Sequence, residues 1–272
     1  MQVQFTHPHP ALLPYIEGYF YMDMKVHSDS IDLHPVGYNA LSFILNTQKA
    51  FNHDDFDFNF RLSHNGHICE HTSFRALASS VKMIVVPFTA TGAYRLFSIS
   101  QHELINRLLP LEEVVRGSRD LRTRLEDAVP SAQQAITLIE RWLLQQIPSR
   151  DNNHYTPKID YACHLIRSHN GNIRIKALCR EIGMSQTYLE DHFKEMVGTS
   201  AKLYSRITRF MAAYQFLCRH SHTKWTDLVH RYDFFDQSHF IREFKTFFGC
   251  TPSRMHTMNH QIAQGITLKP DL

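Results

Sequence analysis

The chain has 272 residues, 43% hydrophobic and 12% aromatic, which excludes wholesale disorder and allows one large or two ordinary domains. The net charge is only +3, but it is split: residues 157–258 hold 15 Lys and Arg against 9 Asp and Glu, whereas residues 1–156 hold 13 against 16. A basic carboxy-terminal part behind a mildly acidic amino-terminal part fits a polyanion-binding module with a separate partner domain.

In chain order, Met1 to Gly18 begins with two His-Pro pairs, which favour extended backbone, and continues into a short apolar turn or helix around Leu12, Leu13, Tyr15 and Ile16. From Tyr19 to about Phe97 the pattern is that of strands: Tyr19 to Val26, Tyr38 to Leu45, and Val81 to Phe88. Between Phe51 and Leu62, Phe56, Phe58 and Phe60 alternate with polar residues at a period of two. Short strands at close spacing, with Asn65-Gly66 as a turn signal, predict a small barrel or sandwich.

Ser100 to Ile147 reads as helical. Ser100 and Glu103 have the spacing of a capping box, and Ile136, Ile139, Leu143 and Ile147 share one helix face. That stripe suits packing within the domain and a dimer contact equally well. Pro148 to Pro157 is polar with two prolines, the composition of a linker. Helices are then expected at Ile159 to His169 and Ile175 to Ile182. Another is expected from Ser185, and a long one from Ser200 to Arg219. The tail after Met258 has no clear pattern.

The segment from Phe234 to Pro252 carries the most information. Asp236 suits a helix N-cap, and Phe240, Phe244 and Phe247 form a stripe at helical period. Gly249 and Pro252 end the helix. Alone, this is any amphipathic surface helix. A degenerate second copy at Ser185 to Ser200 changes its meaning: Ser185 aligns with Asp236, Gln186 with Gln237, Leu189 with Phe240, Phe193-Lys194 with Phe244-Lys245, and Gly198 with Gly249. Each copy follows a short helical pattern and a turn, which makes two tandem helix-turn-helix units.

The Asp-Gln-Ser-His-Phe run, the Arg-x-Phe-Lys pair and the Gly-x-Thr-Pro ending resemble the second helix-turn-helix of AraC/XylS-type transcription regulators. The resemblance covers Lys158 to about Met258. It implies a β-rich amino-terminal domain that senses a small molecule. The expected fold is α+β with two domains. Residues 1–150 form a small β-barrel or sandwich with flanking helices, residues 151–157 are a linker, residues 158–258 are an all-α tandem helix-turn-helix domain, and residues 259–272 are a tail. The expected partners are double-stranded DNA, RNA polymerase, a small-molecule effector and a second copy in a homodimer.

An Arg side chain donates two bonds to guanine, so Arg242 is the central base-reading candidate, with Gln237 and Ser238 at the groove-entering end of the helix. Lys245, Lys194, Arg206 and Arg209 are phosphate candidates, with solvated surface charge as the plain alternative. In the first unit the candidates are Gln186, Thr187 and Glu190. Glu190 and Asp191 stand where resembling proteins place donors, so this helix either reads an unusual half-site or contributes less than the second. Asp233 occupies a turn position where the family has Gly, and its backbone is expected at positive φ. His239 is read as structural or near phosphate.

Five cysteines without a CxxC spacing, together with the lack of an apolar run near 18 residues and of a signal pattern, lead to the expectation of a soluble cytoplasmic protein without disulfides. No GxSxG, Walker-type loop or HExxH is present, so no catalytic residue and no cofactor are assigned. The competing possibility is a metal-dependent β-barrel enzyme or metal sensor. If residues 67–71 form a strand, His67, Cys69 and His71 share a face, with His34 or His53 as a fourth ligand.

Overall fold

The computed structural model describes residues 2–26, 29–47, 50–52, 62–128, 131–149, 153–220, 225–252 and 254. The alternating Phe56, Phe58 and Phe60, His53 and the tail 259–272 lie outside the described residues.

The amino-terminal part holds nine strands: β1 Gln2–Thr6, β2 Tyr19–Lys25, β3 Ser30–Leu33, β4 Ala40–Ile44, β5 Phe51–Asn52, β6 Leu62–Asn65, β7 Thr72–Ala76, β8 Ser80–Pro87 and β9 Leu108–Pro110. They form two antiparallel sheets, a six-stranded one in the order β1-β2-β8-β4-β6-β9 and a three-stranded one in the order β3-β7-β5. Neither sheet closes on itself, so the sandwich form of the expectation fits better than a barrel.

Side-chain alternation gives the large sheet two apolar faces. Phe20, Met22, Ala40, Ile44, Val81, Met83 and Val85 are buried in a cluster that also takes Leu33 and Phe51 from the small sheet. Tyr19, Leu41, Phe43, Ile84 and Val86 face the other way, into a cluster with Ile136, Ile139, Trp142 and Leu143. Those last residues belong to a helix, α4 Ala132–Gln146, which opens with a complete capping box between Ser131 and Gln134. Packing within the domain therefore covers its apolar stripe.

Three expectations need correction. The strand-like stretch ends sooner, because Gly92–Phe97 forms a helix, α1. Ser100 makes no capping bond, and Gln101–Leu104 is a single tight turn. The Gln101 side chain instead bonds Asn39 and the Ile99 carbonyl, Asn106 sits at φ 52°, and the chain then pairs as β9 with β6. Pro110 also disfavours helical backbone at Leu109. Only short helices follow before α4: α2 Leu111–Val114 and α3 Ser118–Ala128.

The carboxy-terminal part is helical: α5 Thr156–Ser168, α6 Ile175–Ile182, α7 Gln186–Val197, α8 Ala201–Arg219, α9 Trp225–Arg231 and α10 Gln237–Phe248. Leu178, Leu189, Phe193 and Met196 close one core with α5. Phe210, Phe234, Phe240, Phe244, Phe247 and Phe248 close a second. The helix α8 serves both, with Tyr204 in the first core and Phe210, Met211 and Tyr214 in the second. It therefore fixes how the two units stand relative to each other.

Candidate nucleic-acid interface

The last helix forms as its sequence dictates. Asp236 accepts a hydrogen bond from the His239 backbone N–H at 2.6 Å, which satisfies one of the orphan donors of the first turn. Gly249 ends the helix in the left-handed conformation at φ 69°. Phe240, Phe244, Phe247 and Phe248 are at most 1% exposed. Gln237, Ser238, Arg242 and Lys245 are exposed and follow one another along the opposite face. The preceding turn holds Asp233 at φ 52°, a conformation Asp tolerates better than most residues.

The upstream copy is built the same way. Ser185 accepts from the Tyr188 N–H at 3.3 Å, and Gly198 stops α7 at φ 97°. Gln186, Thr187 and Asp191 are exposed, and Glu190 and Lys194 are half-exposed. Lys194 pairs with Glu190 one turn away, at 3.1 Å. That pairing offsets part of the repulsion Glu190 would exert on phosphate, and it also occupies the lysine.

Between the units lies a concavity of about 570 Å³ whose lining includes Arg174, Lys202, Arg206, Arg209, His239 and Glu243. Arg206 and Arg209 are half-buried in it and have structural partners. Arg206 donates two bonds to Glu243, at 2.6 Å and 3.2 Å. Arg209 lies over the Phe234 ring at 4.8 Å and reaches the Asp233 carbonyl at 3.5 Å; burial lowers its pKa. Glu243 is only 5% exposed and was not a candidate in the sequence. Its signal was present: it stands three residues after Phe240, an acid on an otherwise apolar face.

Behind this surface both units rest on the amino-terminal part. Tyr94 of α1 donates to Glu195 of α7 at 3.0 Å, and Thr91 donates to Asp160 of α5 at 2.7 Å. A Cβ at Gly198 would stand 2.9 Å from the Gln101 carbonyl oxygen. At the equivalent end of α10, a Cβ at Gly249 would stand 2.6 Å from His71 Nδ1, and the His34 ring stacks on Phe248 with centroids 4.0 Å apart.

The candidate metal ligands do not converge. Residues 66–71 are irregular backbone between β6 and β7, so His67, Cys69 and His71 do not share a strand face. His67 is buried against Tyr204, Cys69 joins the second helical core, and His71 Nε2 lies 3.0 Å from Asp32. Among the described residues no group of three His, Cys, Asp or Glu could hold a metal ion.

A protein-family model described as a helix-turn-helix domain matches residues 178–258. The carboxy-terminal part of the chain is an AraC-type helix-turn-helix domain. The AraC-type match spans both units, from within α6 past the end of α10. No curated protein matches the chain in sequence. Among solved structures, ToxT from Vibrio cholerae superposes with a TM-score of 0.51 at 12% identity, over 87% of this chain and 97% of that one. A second ToxT structure, from Vibrio cholerae O395, gives 0.47 at 12% identity, over 95% and 100%. The first likeness extends the shared fold beyond the AraC-type domain into the sheet-rich part. Among the described residues no helix is long and apolar enough to cross a membrane.

Proposed function

We propose that the protein is a sequence-specific DNA-binding transcription regulator whose grip on DNA is set by a small molecule bound on its amino-terminal side. The observation that carries this reading is the exposed row Gln237, Ser238, Arg242 and Lys245 on a capped helix with a fully buried aromatic back, built on a plan that α7 repeats.

In this reading α10 enters a major groove, with Arg242 bidentate to a guanine and Gln237 and Ser238 on neighbouring base edges. Lys245 meets phosphate. In α7, Gln186 and Thr187 read bases. Glu190 and Lys194, tied to each other, make a weaker contribution. Arg209 acts first as a support for the turn of the second unit and meets the backbone only at its exposed edge. Residues 1–150 sense the effector, residues 151–157 join the halves, and the regulator acts on RNA polymerase, as a homodimer. An effector shifts such a protein only by binding its two arrangements differently. The contacts of Tyr94, Gln101, His34 and His71 with the two units give the amino-terminal domain a direct hold on both reading helices.

Titration of the purified chain against fragments of bacterial genomic DNA at rising salt is the test. Affinity falls linearly with log salt for all fragments, and a minority stay bound far above the rest. Equal affinity for every fragment at every salt would leave only a non-specific polyanion binder.

A further inference from the structure

A cavity of about 260 Å³ lies where the amino-terminal domain meets α5 and α8, and its walls come from both halves of the chain. Val36, Tyr38 and Phe88 line it from the first half, and Arg167, Tyr204 and Met211 from the second. The volume stands near the small end of ligand pockets.

The chemistry of the walls is specific. The Tyr38 hydroxyl is buried and has no hydrogen-bond partner among the described residues, although buried hydroxyls almost always have one. Tyr204 is 2% exposed, and its hydroxyl receives Arg167 at 3.4 Å. Among the described residues no carboxylate stands within ion-pair range of the Arg167 guanidinium, which remains solvent-accessible at the cavity wall. A cation beside a buried hydroxyl, with Val36, Phe88 and Met211 behind, suits an anionic head on an apolar body. Glu17 also lines the cavity, which disfavours a ligand of high negative charge and limits the head to a single acid group.

The geometry points to a binding site for a small monocarboxylic acid between the two domains, with its carboxylate on Arg167 and Tyr204. This deepens the effector part of the function proposed above and rests on it. Tyr204 belongs to the core of the first helix-turn-helix unit and Met211 to that of the second, and both stand on α8. A ligand touching them touches the one helix that joins the two units. Filling the cavity thus changes how the units stand relative to each other, which is what a two-part DNA site reads.

The test uses the full chain with benzoate and 4-methylpentanoate, each beside its neutral amide, and measures the melting temperature and the affinity for a duplex the protein selects. The acids raise the melting temperature and change duplex affinity severalfold, and the amides do neither. Arg167→Gln abolishes the acid response, and Arg167→Lys retains part of it. If Arg167→Gln melts too low to assay, Thr208→Phe, which fills the cavity from α8 and keeps the charge, has to lose the response instead. No shift with either acid, equal shifts with the amides, or an unchanged response in these variants overturns the site. Selective duplex binding without ligand is measured separately. Its presence with no acid response sinks only this site, and its absence sinks the regulator reading.

Discussion

Glu243 of the last helix accepts two hydrogen bonds from Arg206 of the linker helix, at 2.6 Å and 3.2 Å. The carboxylate is buried and the guanidinium is about one-third exposed, with side-chain exposures of 7% and 37%. The pair ties the second reading helix to the helix that also carries the first unit's core. Its value is orientation, since a buried ion pair adds little net stability over an apolar pair of the same shape.

Removing one partner should nevertheless be costly. Glu243→Leu leaves Arg206 facing an apolar surface, and denaturant unfolding should find a loss of about 1–3 kcal/mol. The double variant Arg206→Met, Glu243→Leu should regain part of that loss. A double variant as unstable as the sum of the singles would mean that the pair does not act as a unit.

Arg242 and Lys245 stand one turn apart on the same exposed face but should fail differently. Arg242→Ala should cost about 1–3 kcal/mol at the preferred base and relax the choice there. Lys245→Ala should weaken binding to all sequences alike and lower the salt slope by about 1. Competition titrations with single-base variants of a selected duplex separate the two outcomes.

Two buried histidines set a pH dependence. Burial pushes the pKa of both His64 and His67 down to about 4 from the usual 6.5, so each stays neutral in the fold where the unfolded chain takes up a proton. Between those values the unfolded state binds more protons, and stability therefore falls as pH falls from about 6.5 toward about 4. At about pH 5 each group should account for about 2 kcal/mol relative to neutral pH. His64→Leu should flatten the fall of unfolding free energy by that share, whatever its own effect at neutral pH. An unchanged slope would mean that His64 is protonated in the fold.

The equivalent glycines at the ends of α7 and α10 should be intolerant for two reasons. Gly198 and Gly249 have φ of 97° and 69°, where an alanine is strained by about 1–2 kcal/mol. The added methyl also meets the Gln101 carbonyl in one case and the His71 ring in the other. Melting of Gly198→Ala and Gly249→Ala should fall below that of an alanine at Gly117, which also has positive φ but nothing within 4 Å of its Cβ. Equal losses at all three positions would remove the inter-domain contact from the explanation.

What could be read from the sequence was what local chemistry decides. Caps at Ser185 and Asp236, stops at Gly198 and Gly249, and the Phe240 stripe are properties of single helices, and they form as expected. The amino-terminal strands Tyr19–Lys25 and Ser80–Pro87 were visible for the same reason. What failed depends on distant partners. Ser100 and Glu103 have capping-box spacing, but Gln101 is taken by Asn39, 62 residues earlier, and the chain that follows is taken by β6. His67, Cys69 and His71 alternate as a strand would, yet each is claimed by a different neighbour: Tyr204, the second helical core and Asp32. The likeness of the two halves of the carboxy-terminal part was legible; the Arg206–Glu243 tie that orients them spans 37 residues and was not.

Selection of preferred duplexes from a random pool by the purified chain, repeated with Arg242→Ala, tests the central claim most directly. Two reading helices in one chain predict a two-part motif with centres about one duplex turn, roughly 10 base pairs, apart. Arg242→Ala should flatten a single guanine-containing position in one part and leave the other part intact. Recovery of no motif, or of the same motif from both proteins, would contradict the assignment of α10 as the helix that reads the sequence.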